Sequence, residues 1–173
     1  NFCLSANGVH PDLEIVIAPI IPARPGFNAV YKIVYKNKGN QVMTQNYGIS
    51  FFYNQHLMSF VSATTAPEAN IGGTLNWSYA NLMPFESRSI LVTMNINAPT
   101  ATNPVNIDDE LTFTGNILPQ NGDENTFDNL FILNQTVVGS YDPNDIQCLQ
   151  GDVVSPAEIG NYLHYLIRFE NTG

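Results

Sequence analysis

Between residues 11 and 138, apolar and polar positions alternate in short runs, the two-residue period of half-buried strands. Leu13-Glu14-Ile15-Val16-Ile17 is the first run, followed by a Pro- and Gly-rich stretch from Pro19 to Gly26. Ala29 to Lys36 comes next, with Tyr31, Ile33 and Tyr35 on one face and Lys32 on the other, and Asn37-Lys38-Gly39-Asn40 turns it. Further runs are Tyr47 to Tyr53, Leu57 to Ala63, Thr74 to Tyr79, Arg88 to Ile96, Leu111 to Ile117 and Leu130 to Val138. Only Pro156 to Tyr162 has a helical spacing, with Ser155 placed to cap a short turn. Seven or eight short antiparallel strands with turn chemistry between them predict an all-β protein built as a sandwich.

One pattern recurs. Tyr31-x-Ile33-x-Tyr35-x-Asn37-x-Gly39 returns as Tyr165-x-Ile167-x-Phe169-x-Asn171-x-Gly173, 134 residues later. Recurrence at about one module length points to a tandem array. The organisation expected is therefore the end of a preceding segment over 1–10, a sandwich over 11–138, a linker over 139–155, and the opening strand of a following module over 156–173. That strand carries Tyr162, His164, Tyr165, Ile167 and Phe169, with apolar residues on both faces. Left alone it would be an association hazard, so it is expected to be ordered by β-pairing with another copy or another chain.

Composition narrows the function. Of 173 residues, 44% are hydrophobic and 11% aromatic, which excludes a disordered chain, and no apolar run is long enough to span a bilayer. Six Lys and Arg face fifteen Asp and Glu, so a net charge of −9 makes nucleic acid an unfavourable partner. Charged residues are only 12%, whereas asparagines number 22, so amides and hydroxyls wet the surface and an extracellular setting is expected.

Several segments carry a family resemblance. Tyr31 to Gly39, Phe60-Val61-Ser62-Ala63, Leu75-Asn76-Trp77, and Leu82 to Ile90 with Val92-Thr93-Met94 resemble, in that order, the immunoglobulin-like repeat of many bacterial surface proteins. Val137 to Asp145, with Cys148 and Tyr162 to Gly173, is similar to a module near the C-terminus of large secreted proteins of Bacteroidota. The first resemblance implies an immunoglobulin-like β-sandwich. The second implies a secreted or outer cell-surface location and export by the type IX secretion system.

Candidate chemistry is sparse. His10, His56 and His164 lie far apart, no G-x-S-x-G, H-E-x-x-H or phosphate-binding loop occurs, and no enzymatic activity is expected. Calcium is the one cofactor the residues suggest, because hard cations take loop carboxylates and amides. Asp142, Asn144 and Asp145 offer three oxygen side chains in four residues, and Asp123-Glu124 with Asp128 offer a second set; plain turn chemistry is the competing reading. Cys3 and Cys148, the only cysteines, flank the sandwich, and eight antiparallel strands would return the chain to the pole where it began, allowing a disulfide. Trp77, Tyr79, Tyr47 and Phe85 raise glycan binding, yet the alternation of Leu75, Trp77 and Tyr79 with Asn76 and Ser78 places the aromatics on the core face. The function expected is a non-catalytic spacer or adhesin module acting through protein contacts, with a carbohydrate-binding module as the alternative. Exposure of Trp77 separates the two.

Overall fold

The structure, a computed structural model, describes residues 7–139, 145–151, 153, 155–158 and 160–168. The chain divides into two compact units, Asn1–Val138 and Gly139–Gly173. Among the described residues no helix is long and apolar enough to cross a membrane.

Among its described residues the first unit holds nine strands. They are β1 (Leu13–Ile21), β2 (Asn28–Asn37), β3 (Met43–Phe52), β4 (Met58–Ala63), β5 (Ala69–Ile71), β6 (Thr74–Leu82), β7 (Ser87–Ile96), β8 (Glu110–Ile117) and β9 (Leu130–Thr136). One sheet has the order β1-β2-β7-β4 and the other β5-β6-β3-β8-β9, all pairs antiparallel. The first four-strand order, facing β9-β8-β3, is the arrangement of an immunoglobulin-like sandwich. A β5–β6 hairpin extends the second sheet beyond β3. Eight of these strands coincide with the alternating runs. The ninth, β5, is three residues long and shows no period of its own.

Alternation becomes layering in the core. Tyr31, Ile33 and Tyr35 of β2 are buried, as are Ile90, Val92, Met94 and Ile96 of β7 and Leu111, Phe113 and Ile117 of β8. The Tyr31 ring lies 4.2 Å from Phe113 across the two sheets, and Phe51 lies 5.6 Å from Phe113. Such tilted and offset contacts add to the burial of large aromatic surfaces. Gly115 lets β1 come close, because a Cβ there would stand 3.1 Å from Ile17 Cδ1 and 3.3 Å from Ile15 Cδ1.

The second unit contains β10 (Asp145–Cys148), a short 3-10 turn (Pro156–Glu158) and β11 (Tyr165–Arg168). β10 pairs antiparallel with β11, Ile146 opposite Ile167 and Cys148 opposite Tyr165. This differs from the sequence reading in two ways. The stretch 139–155, taken as a linker, contributes a strand, and the strand bearing Tyr165 and Ile167 finds its pairing within its own chain. Four residues, Asp145-Ile146-Gln147-Cys148, are too few for their alternation to stand out beside the turn signals around them. Tyr162, His164, Tyr165 and Ile167 are exposed; Phe169 lies outside the described residues.

Candidate functional site

Among the described residues, a group of three carboxylates and a lysine gathers where β1 begins. Asp12 precedes Leu13, and Lys38 lies in the turn after β2. Asp123 and Asp128 come from the segment between β8 and β9. One oxygen from each of Asp12, Asp123 and Asp128 lies within 4.8 Å of the others.

Backbone bonds dictate this meeting. Lys38 N and Gly39 N donate to Asp12 O at 2.7 and 3.0 Å, so the β2–β3 turn grips the segment leading into β1. Ile15 N donates to Asp128 O at 3.0 Å, and Glu124 N to Pro11 O at 2.9 Å, holding the β8–β9 segment on the same stretch. Asp123 is a turn-builder. Its Oδ2 accepts from Leu13 N at 2.9 Å and Asn129 Nδ2 at 3.1 Å, and its Oδ1 accepts from Asn125 N at 2.9 Å.

Lys38 Nζ donates to Asp128 Oδ2 at 2.6 Å and stands 3.7 Å from Asp12 Oδ1. The bond to Asp128 raises the Lys38 pKa. Burial pushes the Asp12 carboxyl up, Lys38 opposes the shift, and the charges of Asp128, Asp123 and Glu124 add to it. One ammonium faces three carboxylates. Alongside, His10 Nδ1 is paired with Glu124 Oε1 and its Nε2 lies 3.0 Å from Asn7 O, and these bonds raise the imidazole pKa.

The residues singled out from the sequence are distributed as follows. Asp123 and Asp128 come together, while Glu124 turns to His10 instead. Asp12, which the sequence reading missed, joins them; its only signal was its place just before the first strand. Asp142 and Asn144 lie outside the described residues, as does the side chain of Asp145. Cys148 is half-buried with its thiol 3.6 Å from Gln150 Oε1, and Cys3 lies outside the described residues. Of the histidines, His164 Nδ1 is 2.9 Å from Gln150 Nε2, and His56 N donates to Asn54 Oδ1. Neither described bond of the His10 ring, nor that of His164, reaches a serine or cysteine.

Trp77 is 2% exposed, with its Nε1 donating to Thr65 O at 2.8 Å. Tyr79 is buried too, its hydroxyl donating to Leu118 O, and burial raises its pKa. Tyr47 and Phe85 are exposed at positive φ, 50° and 64°.

A family described as a domain of unknown function (DUF7619) matches residues 142–173. No curated protein matches the chain. Among solved structures, the chain is similar to the CARDB domain of the Pyrococcus furiosus protein PF1109, at 17% identity and a TM-score of 0.45, over 75% of this chain and 96% of that one. The same domain, in a crystal structure in complex with di-metal ions, matches at 17% identity and a TM-score of 0.45, over 78% and 100%. A cohesin module from a Clostridium perfringens family 33 glycoside hydrolase matches at 15% identity and a TM-score of 0.41, over 77% and 100%.

Proposed function

We propose that the chain is a non-catalytic module of a secreted or cell-surface protein, one unit of a tandem array that spaces, displays or tethers other modules through protein contacts. The observation that carries this reading is a repeated hairpin. In β1–β2, Ile17 stands opposite Ile33 and Pro19 opposite Tyr31. In β10–β11, Ile146 stands opposite Ile167 and Cys148 opposite Tyr165. The sequence repeat aligns Ile33 with Ile167 and Tyr31 with Tyr165, and each of the two aligned strands pairs antiparallel with the strand before it. That common arrangement supports reading the second unit as the opening of a second sandwich of the same kind, and serial sandwiches make spacers.

The finer assignment, to an adhesin-like module of a Bacteroidota protein exported by the type IX system, is supported by the resemblance of Val137 to Asp145 and Tyr162 to Gly173. Burial of Trp77 and Tyr79 weighs against a sugar platform, since a ring inside the core offers no face to stack on. Pulling the chain from its two ends tests the spacer. The first unit is expected to yield in one event, with a length gain of roughly 40 nm at about 3.5 Å per residue. Gradual extension without a force peak would overturn the reading, as would saturable binding on a glycan array that quenches Trp77 emission.

A further inference from the structure

We propose that Asp12, Asp123, Asp128 and Asn129 form a calcium site that staples the two sheets together where β1 meets the β8–β9 segment. The three aspartates alone would be an ordinary acidic cluster. What sets the place apart is a group of buried oxygens that accept no hydrogen bond. Four buried side-chain atoms lack a hydrogen-bond partner among the described residues, and three of them are Asp12 Oδ1, Asp128 Oδ1 and Asn129 Oδ1. Asn129 is wholly buried, and the head of its side chain lies against the cluster, with Nδ2 3.1 Å from Asp123 Oδ2. Its Oδ1 is an amide oxygen shut away from water with nothing to accept. Acceptors are rarely buried in this state unless a water or ion satisfies them, and with three carboxylates around one ammonium, which stands 3.7 Å from Asp12 Oδ1, a second cation is the partner that also meets the charge.

The dimensions suit calcium. Two oxygens on opposite sides of one Ca²⁺, each at about 2.4 Å, are separated by about 4.8 Å. The three carboxylate oxygens lie within 4.8 Å of one another, so one ion can touch all three. Magnesium, with its rigid octahedral demands and reluctance to shed water, suits a set of loop carboxylates and a buried amide less well. Charge points the same way, since Lys38 offsets only one of three carboxylates. Lys38 is the cation in residence without calcium; its flexible stem and one-third exposed side chain let it swing outward when an ion enters.

The ligands arise from both sheets. Asp12 leads into β1 at the edge of the first sheet, and Asp123, Asp128 and Asn129 lead into β9 at the edge of the second. An ion held by both would resist separation of the sheets. This inference does not depend on the spacer reading.

The test uses the whole chain, with melting followed by circular dichroism and binding by isothermal titration calorimetry, in calcium chloride and in excess EGTA. The expected result is one calcium per chain and a melting point raised by roughly 4 °C or more near saturation. Asp12→Asn combined with Asp128→Asn is expected to abolish the heat of binding and the rise, while Asp142→Asn with Asp145→Asn preserves both. Lys38→Met, which removes the competing ammonium, is expected to bind calcium several-fold more tightly and to melt higher in calcium than in EGTA. If the cluster only anchors Lys38, Lys38→Met is destabilised equally in both solutions and the inference fails. It fails also if wild-type melting is indifferent to calcium, or if binding is lost in the Asp142→Asn, Asp145→Asn variant and kept in the other.

Discussion

Trp77→Phe is the perturbation that tests the core most sharply, because this side chain separates a buried wedge from a ligand platform. Phenylalanine keeps the aromatic face but loses the indole N–H and the volume of the fused five-membered ring. The carbonyl of Thr65, which accepts from Nε1 at 2.8 Å, loses that donor, a cost of about 1 kcal/mol. Removing ring atoms equivalent to two or three methylenes from a site 2% exposed costs about 2 kcal/mol more at roughly 0.8 kcal/mol each. The sum is about 3 kcal/mol. For an m-value of about 2 kcal/mol/M in urea, the unfolding midpoint should fall by roughly 1.5 M. Far-UV circular dichroism must follow the transition, since the variant lacks the chain's single tryptophan. A midpoint shift under about 0.3 M would refute the reasoning, because side chains that lie on the surface tolerate this change within roughly 0.5 kcal/mol.

Other residues make separate demands. The His10 pKa is raised above 6.5 by its bond to Glu124, so the charged form favours the fold: its contribution is present in full below the unfolded pKa and disappears as pH rises through the folded value. Proton NMR should find His10 titrating above 6.5 and Glu124→Gln moving it down; an unchanged titration in that variant would remove the pair from the account. Gly39→Ala places a Cβ against the His10 carbonyl and 2.7 Å from Asp12 N, and is expected to cost about 2 kcal/mol or more by urea unfolding. Asn37→Ala breaks bonds to Gln41 O, Leu82 O and Gly39 N around a wholly buried amide and should cost about 3 kcal/mol; a loss under 1 kcal/mol would show the turn holds without it. Although β11 is paired with β10, Ile146, Tyr165 and Ile167 stay exposed, so the whole chain should self-associate by light scattering while a fragment ending at Gly139 is monomeric; equal association states would show that these side chains drive no contact.

Strands of the first unit were legible because each buries one face, so alternation survives in the sequence from Leu13 to Gln135. The Asn-x-Gly ending of β2 was legible as a turn but not for its reason. Asn37 is no surface turn residue: it is buried, ties its own turn to the end of β6, and leaves Gly39 pressed against the segment before β1. β5 and β10 were hidden by length, three and four residues each, where period cannot be counted. Trp77 could be placed on a core face from its neighbours alone, because the alternation of Leu75, Trp77 and Tyr79 with polar residues leaves one inward side.

The acidic junction was half legible, and the missing half follows from topology rather than composition. Asp123 and Asp128 are close in sequence and advertise themselves as a pair. Asp12 and Lys38 do not, since over eighty residues separate them from the 123–129 segment. They meet because β1 and β9 are edge strands of opposite sheets in an immunoglobulin-like order, so the segments leading into them share one seam of the sandwich. Any sandwich of this order brings those segments together; this one places carboxylates and a buried amide there. Had the same positions been Asn or Ser, the backbone bonds Ile15 N to Asp128 O and Glu124 N to Pro11 O would still close the seam. The negative charge is therefore surplus to closure, it works against closure unless compensated, and compensation by Lys38 alone covers one carboxylate of three.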